Sequence, residues 1–143
     1  IEAQKVQRYC ENDAVNLILF AFVGQAKKAG VTMQVLGYLS DFILASDSDL
    51  CVLLSNALEN ALHACAGLEH GSIVVQTYVQ SEKFFLQVVN DCPGPVQFNR
   101  GVPVTDRPGH GVGVRSICAI VERYGGMYSF SVQNGHFVLR LSL

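Results

Sequence analysis

The dipeptide Asn134-Gly135, placed between two segments in which apolar and polar residues alternate, constrains this chain most strongly. Such a pair favours the two-residue turn that joins neighbouring antiparallel strands. In the second segment, residues 136–143, the side chains of Phe137, Leu139, Leu141 and Leu143 fall on one face of a strand. We therefore predict an antiparallel hairpin of residues 127–133 and 136–143, one face of which packs against a core.

Further strands and helices are predicted upstream of this hairpin. Residues 72–80 and 84–89 are rich in β-branched and aromatic residues and flank a short polar turn, which indicates a second antiparallel hairpin. Residues 31–39 are typical of a strand with a ragged end. Apolar residues recur at helical spacing in residues 15–26, 50–66 and 111–124. Ser46 and Asp49 form a capping-box pattern before the second of these helices.

This order of elements predicts the fold class. Helices segregated from a mixed, mostly antiparallel sheet form an α+β, two-layer sandwich. About three helices would cover one face of the sheet, and the other face would be exposed or covered by another segment. The 143 residues suit a single domain that spans residues 1–143.

Composition excludes several classes of protein. The net charge of −2 gives no basic surplus for neutralising phosphates, so we expect no nucleic-acid partner. The most apolar stretch, residues 14–23, is about half as long as a membrane span and contains Asn16. The five cysteines lack metal-ligand spacing, which favours a reducing compartment without structural zinc. Because the first residue is Ile1, we expect a piece of a longer protein.

A polar stripe lies on the second predicted helix. Asn56, Asn60 and His63 are spaced i, i+4 and i+7, so they share one helix face among Leu and Ala residues. Amide oxygens in this position suit an oxygen-preferring cation such as Mg²⁺, which leaves most of its coordination positions to phosphate and water. A helix face that is simply solvated is the competing interpretation.

Alternating glycines precede the third predicted helix. Gly109, Gly111 and Gly113 allow the backbone to approach an anion closely, and a helix N-terminus offers unpaired N–H groups. The segment departs from the dinucleotide-binding pattern because Val114 stands at its last glycine position. A flexible turn explains the same glycines equally well.

Polar residues follow the predicted strand 84–89. Asn90 or Asp91 could accept a hydrogen bond from an exocyclic amine, and Gly94 could admit a flat ring against the backbone. An ordinary Asx turn is the alternative. Residues 90–109 show no periodicity, and loops of this length in compact domains are commonly lids or binding loops.

These three motifs, in this order, resemble the N, G1 and G2 boxes of the GHKL (Bergerat-fold) ATP-binding family. The resemblance covers nearly the whole chain and is strongest to catalytic domains of Gram-positive sensor histidine kinases of the peptide-responsive, quorum-sensing type. The segments that carry it are Asp49-Leu50-Cys51, Asn56-Ala57-Leu58-Glu59-Asn60-Ala61, His110-Gly111-Val112-Gly113 and Val121-Glu122-Arg123-Tyr124-Gly125-Gly126.

The resemblance implies a site for ATP and Mg²⁺. Asn60 corresponds to the asparagine that ligates the metal, and a lid would run from about residue 95 to residue 110. The family's aspartate-x-glycine-x-glycine is absent, which leaves Asn90 or Asp91 as the adenine contact. The nucleotide-binding residues implied in total are Asn56, Asn60, His63, Asn90, Asp91, Gly94, Arg107, Gly109, His110, Gly111, Val112, Gly113 and Val114.

The resemblance also implies a reaction. Family members that hydrolyse ATP carry a glutamate where this chain has Asn56, which cannot accept a proton, so transfer to a histidine is favoured over hydrolysis. None of the four histidines lies in an early helix beside an acidic residue. The acceptor would lie on a separate dimerisation segment of the same homodimeric kinase, which would signal to a response regulator.

We thus expect a cytoplasmic domain of a membrane-anchored sensor. Two alternatives within the same fold stay open, which are a non-catalytic nucleotide-binding or interaction module and a serine kinase of the anti-sigma type.

Overall fold

The computed structural model describes residues 9, 12–37, 45–104 and 111–143. Within these ranges three helices and seven strands follow one another along the chain. Their order is α1 (Asp13–Lys28), β1 (Thr32–Leu36), α2 (Asp47–Cys65), β2 (Ser72–Gln80), β3 (Lys83–Asp91), β4 (Gln97–Asn99), β5 (Val102–Val104), α3 (Val112–Arg123), β6 (Met127–Gln133) and β7 (His136–Ser142).

Five of the strands form the main sheet, in the order β1-β2-β3-β7-β6. The β1–β2 pair is parallel, and the other three pairs are antiparallel. The three helices pack on one face, and the core lies between them and the sheet. This arrangement confirms the predicted α+β sandwich. Large, fully buried side chains of the core are Leu19, Leu50, Leu53, Leu54, Leu58, Ile73, Leu86 and Ile117.

Both predicted hairpins are present in the main sheet. Asn134 and Gly135 have φ angles of 51° and 78°, which close the tight turn between β6 and β7. The predicted end of β3 was wrong, because the strand continues past Val89 to Asp91. The two added residues keep their pairing with β7, where Asn90 faces Phe137 and Asp91 faces His136.

A small hairpin, β4–β5, stands in the segment that we expected to be irregular. Arg100 and Gly101 have φ angles of 52° and 77° and form the two-residue turn between the strands. Val102 packs against the core and anchors the hairpin. The remainder of the predicted lid, residues 105–110, and the end of the predicted strand 31–39 lie outside the described residues.

The start of α2 is joined to the end of α3 by a polar cluster. The Ser46 hydroxyl caps α2 by accepting from the Asp49 N–H (3.1 Å), as the capping pattern predicts. The Asp49 carboxylate accepts from the Tyr124 hydroxyl (2.5 Å) and from Arg123 Nη1 (2.8 Å). The Tyr124 hydrogen bond, with the contacts of Ser46 and Arg123, outweighs desolvation and holds the pKa of Asp49 below its usual 3.8.

We expect this cluster to make stability depend on pH. A carboxyl whose pKa is lowered by folding stabilises the native state above its unfolded pKa, and this contribution is lost as pH falls through the folded pKa. Asp49→Asn should therefore lower the melting temperature at neutral pH, and the deficit should shrink as pH falls below 3.8.

Melting temperatures of the wild type and D49N between pH 7 and pH 2.5 test this expectation. Glu59→Gln, which removes an exposed carboxylate from the same helix, controls for net charge. A deficit that stays constant or grows down to pH 2.5 would contradict the assignment.

The second face of the main sheet is open within the described ranges. Met127 is 76% exposed, and Tyr78 stacks on Phe85 with ring centroids 4.8 Å apart. Arg140 Nε donates to Gln87 Oε1 at 2.7 Å on the same face. Among the helices that the structure describes, none has both the length and the apolar character needed to cross a membrane.

Candidate functional site

A cavity of about 700 Å³ lies where α2, the end of β3, the β4–β5 hairpin and the start of α3 meet. Its size is typical of pockets that hold small molecules or cofactors. Residues 60–64, 90–97, 103–104 and 111–114, together with Phe137 of β7, contribute to its wall. The lining residues are Asn60, His63, Ala64, Asn90, Cys92, Pro95, Val96, Gln97, Pro103, Val104, Gly111, Val114 and Phe137.

The polar stripe of α2 divides between two environments. Asn60 and His63 have exposed side chains and line the cavity. Asn56, one turn earlier, is half-buried and is not among the lining residues; its Nδ2 donates to the Val52 carbonyl (2.9 Å). The helix therefore presents two polar side chains to the cavity and directs the third toward its own backbone.

The two candidates for the adenine contact, Asn90 and Asp91, lie at the end of β3 on opposite faces of the strand. Asn90 is 2% exposed and lines the cavity, because it continues the core-facing alternation of Leu86 and Val88. Its Nδ2 donates to the Asp91 carbonyl at 3.0 Å, which is the one hydrogen bond of this side chain among the described residues. The Oδ1 atom of Asn90 is thus left to accept a hydrogen bond from a ligand.

Asp91 lies on the opposite side of the strand. Its Oδ2 accepts from the Ser72 N–H at 2.8 Å, and its Oδ1 is 3.3 Å from His136 Nε2. These contacts tie β3 to β2 and β7 and direct the carboxylate away from the cavity. Of the two candidates that the sequence leaves open, Asn90 therefore faces the cavity and Asp91 does not.

The start of α3 supplies main-chain N–H groups. Gly111 is the N-cap residue, with a left-handed φ of 95° and no side-chain cap. Gly111 and the buried Val114 line the cavity, whereas Val112 is 54% exposed and, like Gly113, is not among the lining residues. An uncapped helix N-terminus on a cavity wall favours an anion, because its N–H groups and dipole face the ligand.

The β4–β5 hairpin forms the outer wall. Pro95, Val96 and Gln97 on one side and Pro103 and Val104 on the other line the cavity, so much of this wall is apolar. These residues were expected only as part of the lid, and Ala64, Cys92 and Phe137 were not predicted at all. The sequence signal for this hairpin was the dipeptide Arg100-Gly101 between two three-residue segments. Such a short pattern is weak evidence for a hairpin.

The described part of the cavity lining contains no Asp, Glu, Lys or Arg side chain. Nor do the described ranges contain a group of three or more His, Cys, Asp or Glu side chains that could hold a metal ion. The arrangement suits a metal that takes one amide oxygen from Asn60 and its other ligands from phosphate and water.

The remaining predicted site residues are not among the described residues that line the cavity. Gly94 is exposed and has open space around it. Arg107, Gly109 and His110 lie outside the described residues. The structure thus brings Asn60, His63, Asn90, Gly111 and Val114 together around one cavity.

In a comparison with protein families, the model of the GHKL domain matches residues 46–143. This range runs from the cap of α2 to the end of the chain and contains every lining residue of the cavity. No curated protein matches the sequence.

Three solved structures illustrate the similarity of fold. The catalytic domain of the histidine kinase ThkA, in a nucleotide-free form, matches with a TM-score of 0.70 and 18% identity over 92% of this chain and 91% of that one. The mycobacterial sensor histidine kinase MprB gives 0.68 and 18%, over 92% and 93%. The Acinetobacter baumannii histidine kinase AdeS gives 0.69 and 18%, over 91% and 62%. The fold is therefore that of histidine kinase catalytic domains.

Proposed function

The chain belongs to the GHKL family, and we propose that it binds Mg·ATP as the catalytic domain of a sensor histidine kinase. Its role would be to present the γ-phosphate to a histidine on a separate segment. The observation that carries the proposal is the convergence of Asn60, Asn90 and the Gly111 helix start on one cavity of about 700 Å³.

Different residues of the cavity lining suit different parts of a nucleotide. Asn90 offers a buried amide oxygen, which can accept from the exocyclic amine of adenine, and Val114 and Phe137 provide apolar walls for a flat ring. The N-terminus of α3 offers N–H groups and a partial positive charge to phosphates. Because the described lining lacks Lys and Arg, this helix start would be its main electropositive feature.

Asn60 is the residue that would hold magnesium. Its side-chain oxygen is of the type that Mg²⁺ prefers, and the open cavity beside it leaves room for phosphate and water ligands. When bound, Mg²⁺ would neutralise phosphate charge during transfer. His63, one turn further along α2, would contribute a contact to the phosphates.

The environment of Asn56 supports transfer to a histidine rather than hydrolysis. Activating a water molecule needs a proton acceptor near the γ-phosphate, and an amide cannot serve as one. The Asn56 Nδ2 group is also engaged by the Val52 carbonyl. An imidazole acceptor is already nucleophilic, so positioning and charge neutralisation are sufficient for its reaction.

The same proposal extends to the rest of the protein. The acceptor histidine would lie on a dimerisation segment of the same kinase, which would be a homodimer at the cytoplasmic face of a membrane and would phosphorylate a response regulator. The peptide-responsive, quorum-sensing subtype is the one that the motifs favour.

A thermal-shift comparison tests nucleotide binding. We expect Mg·ATP at about a hundredfold excess over Kd to stabilise the chain by about 2.7 kcal/mol, which corresponds to a rise in melting temperature of about 8 °C. ATP with a chelator should give a much smaller rise because Asn60 would lose the metal it holds. GTP should also give a smaller rise because guanine carries a carbonyl where adenine carries an amine.

Equal shifts with ATP and with ATP plus chelator would contradict the role of Asn60. Equal shifts with ATP and GTP would contradict the role of Asn90. If no nucleotide changed the melting temperature, the proposed function would be wrong.

A further inference from the structure

Asn56 lies directly against Gly113, at the place where α2 crosses the start of α3. A Cβ atom added to Gly113 would lie 3.0 Å from Asn56 Oδ1, 3.5 Å from its Cγ and 3.6 Å from its Cβ. A carbon–oxygen distance of 3.0 Å is too short for ordinary van der Waals contact. The absence of a side chain at position 113 is therefore what admits the Asn56 amide.

The Asn56 amide cannot easily move away from this contact. Its Nδ2 donates to the Val52 carbonyl at 2.9 Å, one turn earlier on α2. Rotating the amide away from α3 would break this hydrogen bond. The position of the Asn56 oxygen is thus fixed by its own helix, and α3 has to fit around it.

This contact joins the two helices that carry Asn60 and Gly111, two residues of the proposed nucleotide site. Asn60 is one turn after Asn56 on α2, and Gly111 begins the cavity-lining start of α3 two residues before Gly113. The distance between Asn60, the proposed metal ligand, and the phosphate-binding start of α3 therefore depends on how closely the two helices approach at the Asn56–Gly113 contact.

We propose that Asn56 is a positioning residue, which sets the distance between α2 and the N-terminus of α3 by seating its amide on Gly113. In this account Gly113 is needed to admit Asn56, not to let a phosphate approach the backbone. The inference rests on the proposed function for its consequence, which is nucleotide affinity, but the contact itself can be tested without a nucleotide.

A double-mutant cycle tests the contact. Gly113→Ala should raise the Kd for Mg·ATP about tenfold and lower the melting temperature by about 3 °C, because the new methyl group displaces either the amide or α3. Asn56→Ala alone should weaken binding about threefold. In the N56A/G113A double variant the two methyl carbons would be 3.6 Å apart, an ordinary contact. Its affinity should therefore return to within about twofold of the wild type.

Gly24→Ala is the matched control. Gly24 also lies within a helix, and a Cβ added there has no neighbour within 4 Å. G24A should raise the melting temperature by about 3 °C, because alanine has the higher helix propensity, and should leave nucleotide affinity unchanged.

Each outcome decides the proposal. Loss in G113A with recovery of both affinity and melting temperature in the double variant supports it. Recovery of melting temperature without recovery of affinity overturns it, because Gly113 would then be needed at the nucleotide itself. A G113A variant that behaves like G24A also overturns it. If the wild type bound no Mg·ATP, the proposed function would fail, and the melting temperatures of the cycle would still support or overturn the contact.

Discussion

Replacing Asn60 by alanine is expected to raise the Kd for Mg·ATP by about 100-fold, or about 2.7 kcal/mol. Mutating groups that merely support a metal ligand commonly costs 10- to 100-fold, so loss of the ligand itself should reach the upper end of this range. The side chain is exposed on α2 and lines the cavity, so its truncation should leave the core intact. Calorimetric titration with Mg·ATP measures the effect.

Two comparisons make this experiment specific to the metal. Glu59→Ala changes the neighbouring exposed residue, which is not among the lining residues, and should bind Mg·ATP like the wild type. With a chelator present, N60A and the wild type should bind ATP with nearly equal and weak affinity. If N60A lost the same factor with and without magnesium, Asn60 would contact the nucleotide and not the metal.

Replacing Asn90 by alanine is expected to weaken ATP binding by about 30-fold and to abolish the preference for ATP over GTP. A site whose buried polar group is lost or unpaired forfeits about 1–3 kcal/mol. Asn90 Oδ1 is positioned to distinguish an amine from a carbonyl because its Nδ2 is held by the Asp91 carbonyl. Competition between ATP and GTP for a fluorescent nucleotide analogue gives both numbers.

Asp91→Asn is the matched variant for this prediction. It changes the other polar residue at the end of β3 and keeps its shape, but the Asp91 carboxylate faces Ser72 and His136 instead of the cavity. D91N should therefore keep both the affinity and the preference for ATP. Loss of the preference in D91N, with N90A unchanged, would mean that the two roles are the reverse of those assigned here.

The fold could be predicted largely from local signals. Asn134-Gly135 determined the C-terminal hairpin because few other dipeptides adopt two successive positive φ angles, and the observed angles of 51° and 78° are of this kind. The capping role of Ser46 was equally local. Such features are readable because the residues that cause them are adjacent in sequence.

The β4–β5 hairpin could not be predicted in this way. Its strands have three residues each, which is too short for periodicity to be measured. Its turn places Arg100 at a φ of 52°. Arginine has no preference for this left-handed conformation, so its presence in the sequence does not predict a turn. The hairpin depends instead on Val102, which packs against a core assembled from distant segments.

The candidate site was predicted only in part, because local patterns indicate some of its residues and contacts between distant segments determine the others. Asn60, His63 and Gly111 lie on elements whose positions were predicted, and they line the cavity. Asn90 and Asp91 could have been distinguished by strand alternation, since Asn90 shares the face of Val88, had the strand been extended by two residues. The contact of Asn56 with Gly113 joins two helices 57 positions apart, and no local pattern indicates it.

The central claim is that Mg·ATP binds in the cavity between α2, β3 and the start of α3. Titrating Mg·ATP into the ¹⁵N-labelled protein and following its amide resonances tests this claim most directly. The account predicts that resonances of Asn60, Asn90 and Gly111 shift together and saturate with one Kd, while that of Tyr78 on the open sheet face stays in place. No shift at saturating Mg·ATP, or shifts confined to the open sheet face, would contradict it.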